Sequence, residues 1–175
     1  MIVTERLLLV PATPELTRAA MAGSRPLAAS LRATVPDTWP PEYLDQPSLQ
    51  YTLDRLAEGP DQVGWWLYFV VLNGGGRQRM LIGSGGYKGP PSAGGTVEVG
   101  YGIVSDHRRR GYASEVTRGL LARAFGVPAV QRVIAETLPE LTSSIGVLEK
   151  SGFRLLGEGS EPGVIRFELT RAEWR

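Results

Sequence analysis

The sequence predicts an α+β fold in which a mostly antiparallel sheet is interrupted by two helices. Three observations carry that prediction. The middle of the chain holds short apolar runs with strand periodicity, bounded by glycine and proline. Two later segments, about Gly111 to Phe125 and about Thr142 to Ser151, carry apolar residues at helical spacing and stop at Gly126 and Gly152. The first of them lies between two strand-like runs, Val97 to Val104 and Arg132 to Leu138, which makes a βαβ step.

Taken in order, Arg6 to Val10 (RLLLV) reads as the first strand. Pro11 and Pro14 then introduce a helix to about Met21, with Pro14 tolerated in its first turn. The proline-broken, aromatic segment TVPDTWPPEYLDQPS suits an ordered loop. A helix follows from about Ser48 to Glu58, with Leu49, Leu53 and Leu56 on one side, and ends at Gly59-Pro60. WWLYFVVL (65–72) and RMLIGSGGYK (79–88) are strands joined by NGGGRQ, whose glycines permit a hairpin or a short loop. A second flexible connection, GPPSAGGT, leads into VEVGYGIV. There Val97, Val99, Tyr101 and Ile103 face one way, and Glu98, Gly100, Gly102 and Val104 the other. Closing strands near FRLLGEG and VIRFELT complete the chain.

Composition narrows the function classes. At 175 residues one domain over 1–175 is expected. A formal net charge of +1 disfavours a basic nucleic-acid binder, although a local patch such as RRR is compatible with that value. There is no cysteine, and His107 is the only histidine, so thiolate nucleophiles and multi-histidine metal sites are excluded and no metal is expected. The amino terminus MIVTERLLLV is broken by Glu5 and Arg6 and has no signal-peptide core, and WWLYFVVL is far too short to cross a bilayer. The expectation is a cytoplasmic protein with neither membrane nor nucleic acid as partner.

The chemistry concentrates in SDHRRRGYASE, where a strand ends and a helix begins. A helix amino terminus leaves backbone N–H groups unpaired and carries the positive end of the helix dipole. Gly111 removes a side chain from that turn and Ala113 keeps the next one small, so a phosphate can reach the backbone. The same residues also suit an exposed basic loop capping an ordinary helix.

VEVGYGIV…RRRGYASE resembles the central motif of the GNAT superfamily of acyl-CoA-dependent N-acyltransferases, Gln/Arg-x-x-Gly-x-Gly/Ala, with Arg108, Gly111 and Ala113 at its defining positions. PELTSSIGVLEKSGFRLLGEG is similar to the family's second signature, and TERLLLVPATPEL to the opening of its ribosomal-protein acetyltransferase (RimJ/RimL-like) branch. The likeness runs in order along most of the chain, although roughly residues 22 to 64 carry little of it. It implies a GNAT fold with six to seven strands and about four flanking helices, splayed between 97–104 and 132–138.

The resemblance further implies an acetyl-CoA site. Its arm would pair with strand backbone near Ile103 and Val104, and its pyrophosphate would rest on the N–H groups of about Arg109 to Ala113, within a cofactor-binding set of Gly102, Ile103, Val104, Arg108, Arg109, Arg110, Gly111, Tyr112, Ala113, Ser114 and Ser144. The expected reaction moves acetyl to a primary amine by direct attack, the acceptor being a protein N-terminus or a small molecule. A neutral amine needs a base and the departing thiolate a donor. Glu98, beside the open volume of Gly100 and Gly102, is the base candidate, acting directly or through water; a solvated or substrate-positioning glutamate is the other reading. A strand bulge near Gly102 or Ile103 would turn a backbone N–H toward the oxyanion.

Two departures stand out. Leu141 replaces the asparagine of the second signature, and Leu148 stands where many relatives carry the tyrosine that protonates the thiolate. Ser144 remains as a donor to sulfur, or as a helix cap. These departures keep alive an alternative, a non-catalytic acyl-CoA-binding or regulatory domain. Tyr101 is expected in the core, Tyr112 in structural or cofactor packing, His107 at the surface, and Glu115 as a helix-dipole partner. Trp39, Tyr43, Trp65 and Trp66 are expected in the core more than in an acceptor pocket, and a homodimer would be unsurprising.

Overall fold

The computed structural model describes residues 1–74 and 78–174. Among the described residues, eight strands form one sheet in the order β1-β2-β3-β4-β5-β6-β8-β7. They are β1 (Ile2–Val3), β2 (Leu7–Pro11), β3 (Leu67–Leu72), β4 (Met80–Tyr87), β5 (Thr96–Ile103), β6 (Arg132–Thr137), β7 (Arg154–Glu158) and β8 (Ile165–Thr170). Every neighbouring pair is antiparallel except β5 and β6. β3 and β4 pair as a hairpin would, while residues 75–77 of the NGGGRQ connection lie outside the described residues.

Helices α1 (Pro14–Ala22), α2 (Ser24–Leu31) and α3 (Gln46–Leu56) cover one face. Leu8, Phe69, Val71 and Leu81 from the sheet pack there with Leu16, Leu27 and Leu49 from the helices. Helices α4 (Tyr112–Phe125) and α5 (Thr142–Lys150) cover the other face, where Leu7, Leu9, Val70, Val97 and Val99 meet Val116, Leu120, Leu121 and Leu148. Alternation explains why β2 is apolar throughout: Leu7 and Leu9 serve one layer and Leu8 the other, so a strand buried on both faces shows no polar period.

The fold class agrees with expectation, with one strand and one helix more than the upper expectations. β1 is two residues long, too short to carry a period. In α2 only Leu27 and Leu31 are buried, one helical turn apart among small and polar residues. Helix α3 begins before Ser48 because Asp45 caps it, its carboxylate accepting from the Ser48 N–H at 2.9 Å and hydroxyl at 2.6 Å.

One interruption positions the site. β5 and β6 pair in parallel from Thr96–Arg132 to Val99–Ala135, and there the pairing stops although both strands continue. The sheet opens beyond Val99.

Candidate active site

The mouth of α4 is built as the sequence suggests. Gly111 is its N-cap with φ 81°, in the left-handed region that favours glycine, and no side chain caps the helix. Among the described residues, no hydrogen bond engages the N–H groups of Arg109, Arg110, Gly111, Tyr112, Ala113 or Ser114, and the first pairing is Glu115 N–H to the Gly111 carbonyl at 3.1 Å. Arg109 and Arg110 are exposed beside this row.

Arg108 is engaged otherwise than its motif position suggests. Its Nε donates to the Ile103 carbonyl at 2.9 Å and its Nη2 to Glu42 at 3.0 Å, so it straps the turn to the end of β5. Sequence reading missed the partner on the far side of the turn. Arg6 donates from Nη1 to the Arg110 carbonyl at 3.1 Å and lies 4.5 Å from the Tyr112 ring centre. Glu115 is more than a dipole partner. It accepts from the Thr4 hydroxyl at 2.6 Å, the Arg6 N–H at 2.7 Å and the Arg6 guanidinium at 2.7 Å. Burial opposes its ionisation, but those bonds and the Arg6 charge outweigh it and hold the carboxyl below its usual range.

The open edge of β5 corrects three expectations. Val104 N–H donates to the Ile82 carbonyl at 3.0 Å, so it is turned toward β4 and is not available at the gap. In an antiparallel ladder alternate residues face one neighbour, which also turns the Gly102 backbone to β4. The register from Gly83–Ile103 to Tyr87–Val99 is unbroken, so no bulge supplies an oxyanion donor near Gly102. Tyr101 and Ile103 therefore present their backbone to the gap. The Ile103 carbonyl is held by Arg108, which leaves the two N–H groups and the Tyr101 carbonyl.

A cavity of about 1030 Å³ passes this gap, lined by Gly100, Tyr101, Gly102, Thr137, Ser144 and Leu148 among others. Ser144 is not the cap of α5; that place belongs to Leu141, which makes no capping bond. Instead the Tyr101 hydroxyl donates to the Ser144 carbonyl at 3.3 Å and lies 3.5 Å from the Ser144 hydroxyl. Tyr101 thus packs partly buried against the core and also lines the cavity. Burial pushes its hydroxyl up, against opposing hydrogen bonds with Ser144 and Thr117.

Glu98 is on the opposite sheet face from Tyr101 and sits in an adjoining pocket of about 460 Å³ instead of the main cavity wall. Lys88, which lines both spaces, forms an ion pair with its carboxylate. A second carboxylate, Glu136, does line the main cavity. It accepts from Ser160 N–H at 2.8 Å, the Ser160 hydroxyl at 2.6 Å and Arg166 Nε at 2.8 Å. Burial acts against its charge, yet the bonds from Ser160 and Arg166 prevail and keep it below the usual carboxylate range.

Toward α3 the cavity is lined by Tyr43, Tyr51, Trp66 and Leu67. Trp39 and Trp65 are partly buried and pack against the core, on Phe69 and Tyr87 respectively. Trp66 is a buried core residue as expected and also borders the cavity, whereas Tyr43 is exposed at its edge. His107 is half-buried in a single turn (Ser105–His107) rather than surface-exposed.

A helix mouth with an unpaired N–H row, beside an opening between two parallel strands, suits a ligand that joins an anionic group to an extended arm. The chain belongs to the acetyltransferase (GNAT) domain family, whose model matches residues 6–154. An uncharacterized N-acetyltransferase of Bacillus subtilis, YjdG, is 32% identical over 81 residues, which is 46% of this chain and 48% of that relative. The match thus spans about half of each. An acetyltransferase of the GNAT family from Bacillus anthracis has the same fold, with a TM-score of 0.65, 21% identity, and 98% of this chain and 99% of that one covered. RimL, a ribosomal L7/L12 alpha-N-protein acetyltransferase in complex with coenzyme A, also shares it, with a TM-score of 0.65, 15% identity and 96% of each chain covered. The residues present fit coenzyme A: unpaired donors for a pyrophosphate, and strand N–H and C=O groups for an amide-bearing arm.

Proposed function

We propose that this protein transfers acetyl from acetyl-CoA to a primary amine, on a protein N-terminus or a small molecule, by direct attack while both are bound. The observation that carries the reading is the cavity running from the aromatic side near α3, past the parted strands, to the Tyr101–Ser144 face. It lets an amine and a thioester meet at one point from opposite faces. The reading sets the reaction in the cytoplasm.

Acetyl-CoA, when bound, supplies an acetyl thioester. Gly111, Ala113 and the N–H groups from Arg109 to Ser114 hold its phosphates, with Arg109 and Arg110 setting the local charge. Tyr101 and Ile103 N–H orient the arm, and either can face a developing oxyanion. Glu98 takes the amine proton through water, because Lys88 holds its carboxylate and the main cavity wall lies one space away. Ser144 assists on the sulfur side.

Glu98→Gln tests the assignment. Turnover at neutral pH is expected to fall roughly 100-fold, the lower reach of general-base catalysis, while acetyl-CoA affinity measured by calorimetry stays the same. Unchanged turnover removes Glu98 from the mechanism. A second reading, an acyl-CoA-binding domain without turnover, draws on the apolar Leu141 and the buried Leu148 at polar positions of the family signature. A thiol-release assay over a panel of amines separates them: binding without release for every amine favours the second.

A further inference from the structure

We propose that Tyr101 is the hydrogen-bond donor to the sulfur that leaves during transfer, and that the sulfur departs as a thiolate instead of being protonated in the site. The inference rests on the acetyl-transfer reading and deepens it.

Leu148, one helical turn beyond Ser144, is apolar, fully buried and on the cavity wall, so nothing at that position donates. Tyr101 reaches the same space from the sheet. Its hydroxyl stands at the parted end of β5, within 3.3 Å of the Ser144 carbonyl and 3.5 Å of the Ser144 hydroxyl. Both distances are long for O–H···O bonds, which centre near about 2.7–2.8 Å. The Tyr101 proton is therefore loosely held and can turn to an acceptor arriving in the cavity, with the Ser144 hydroxyl beside it as a second donor.

A phenol whose proton is held more tightly than a thiol's is a poor acid toward sulfur but a good hydrogen-bond donor to it. The step then balances without a proton moving to sulfur. The amine nitrogen forms the N–C bond, and the C–S bond breaks with its electron pair on sulfur. The nitrogen's proton leaves through water toward Glu98. The thiolate keeps its charge against the Tyr101 O–H and takes a proton from solvent after release.

The test titrates the thiol of coenzyme A bound to the wild type, Tyr101→Phe and Ser144→Ala, following thiolate absorbance against pH. A donor aimed at sulfur stabilises the charged form, so removing it raises the thiol titration, by about one pH unit for a charge-assisted bond. Tyr101→Phe is expected to show that rise, with kcat down about tenfold and acetyl-CoA KM within a few-fold; Ser144→Ala is expected to show less. A fluorotyrosine at position 101, a stronger donor of the same shape, moves the titration down and covers the case of a Phe variant that folds poorly. An unmoved titration in both Tyr101 replacements overturns the proposal, as does a rise confined to Ser144→Ala. Loss of coenzyme A affinity with an unmoved titration makes Tyr101 a packing residue and also overturns it. The titration needs no amine, so its outcome is separate from that of Glu98 or the acceptor.

Discussion

Arg6 and Glu115, 109 residues apart in the chain, form a 2.7 Å ion pair that fastens the amino-terminal strand to the first turn of α4. Through Arg6 Nη1 the same pair grips the Arg110 carbonyl, one residue before the Gly111 cap. The mouth of α4 is thus braced from outside its own motif. Glu115→Ala strands the Thr4 and Arg6 donors and is expected to lower stability by about 1–3 kcal/mol in urea unfolding, and to weaken coenzyme A binding with it.

That brace is also sensitive to acid. The Glu115 carboxyl sits below its ordinary value in the fold, so its contribution is complete above about pH 4.3 and fades as pH falls through the depressed value. Urea midpoints measured from about pH 6 down to about pH 3 should fall more in the wild type than in Glu115→Gln. Equal slopes would show that another carboxyl governs acid unfolding.

Gly111→Ala places a Cβ on a residue with φ 81° and 3.4 Å from Arg6 Nη2. The left-handed backbone alone costs about 1–2 kcal/mol. Coenzyme A affinity should drop at least roughly tenfold, more than the stability loss accounts for, because the new methyl stands where phosphate approaches the backbone. Calorimetry on the folded variant checks it.

Gly100 offers the opposite case. A Cβ there meets nothing within 4 Å, and the residue lines the main cavity. Gly100→Leu should leave the melting temperature nearly unchanged while raising an acceptor or acetyl-CoA KM roughly tenfold, by filling space the substrates need. A normal KM would remove this end of the cavity from the reaction path.

Glu136 holds the Ser160 turn and Arg166 against the cavity wall. Glu136→Gln should speed hydrogen exchange at Ser160 and raise acceptor KM, leaving coenzyme A affinity intact. Since its carboxyl is depressed in the fold, this stabilisation also persists above about pH 4.3 and is lost as pH falls through the lower, folded value.

The helix mouth was legible because its physics is local: Gly111, Ala113 and the end of a strand suffice to leave donors unpaired. The faces of β5 were legible for the same reason, since alternation is a property of one strand. Which residues of β5 are open was not, because that depends on where the pairing with β6 stops. Val104 and Gly102 looked suitable by position and are turned to β4; Tyr101 looked like core and also lines the cavity.

The sequence by itself determined the α+β class, the order of the main elements and the open turn at the mouth of α4, all of which rest on periodicity, glycine and helix ends read within a few residues. Only the tertiary structure decided who meets whom across the sheet. Arg6 reaches Arg110, Arg108 straps Ile103 to Glu42, Lys88 holds Glu98, and Tyr101 meets Ser144. Those pairings follow from strand register and from two layers packed on opposite faces, where residues far apart in the chain become neighbours, and no local pattern encodes them.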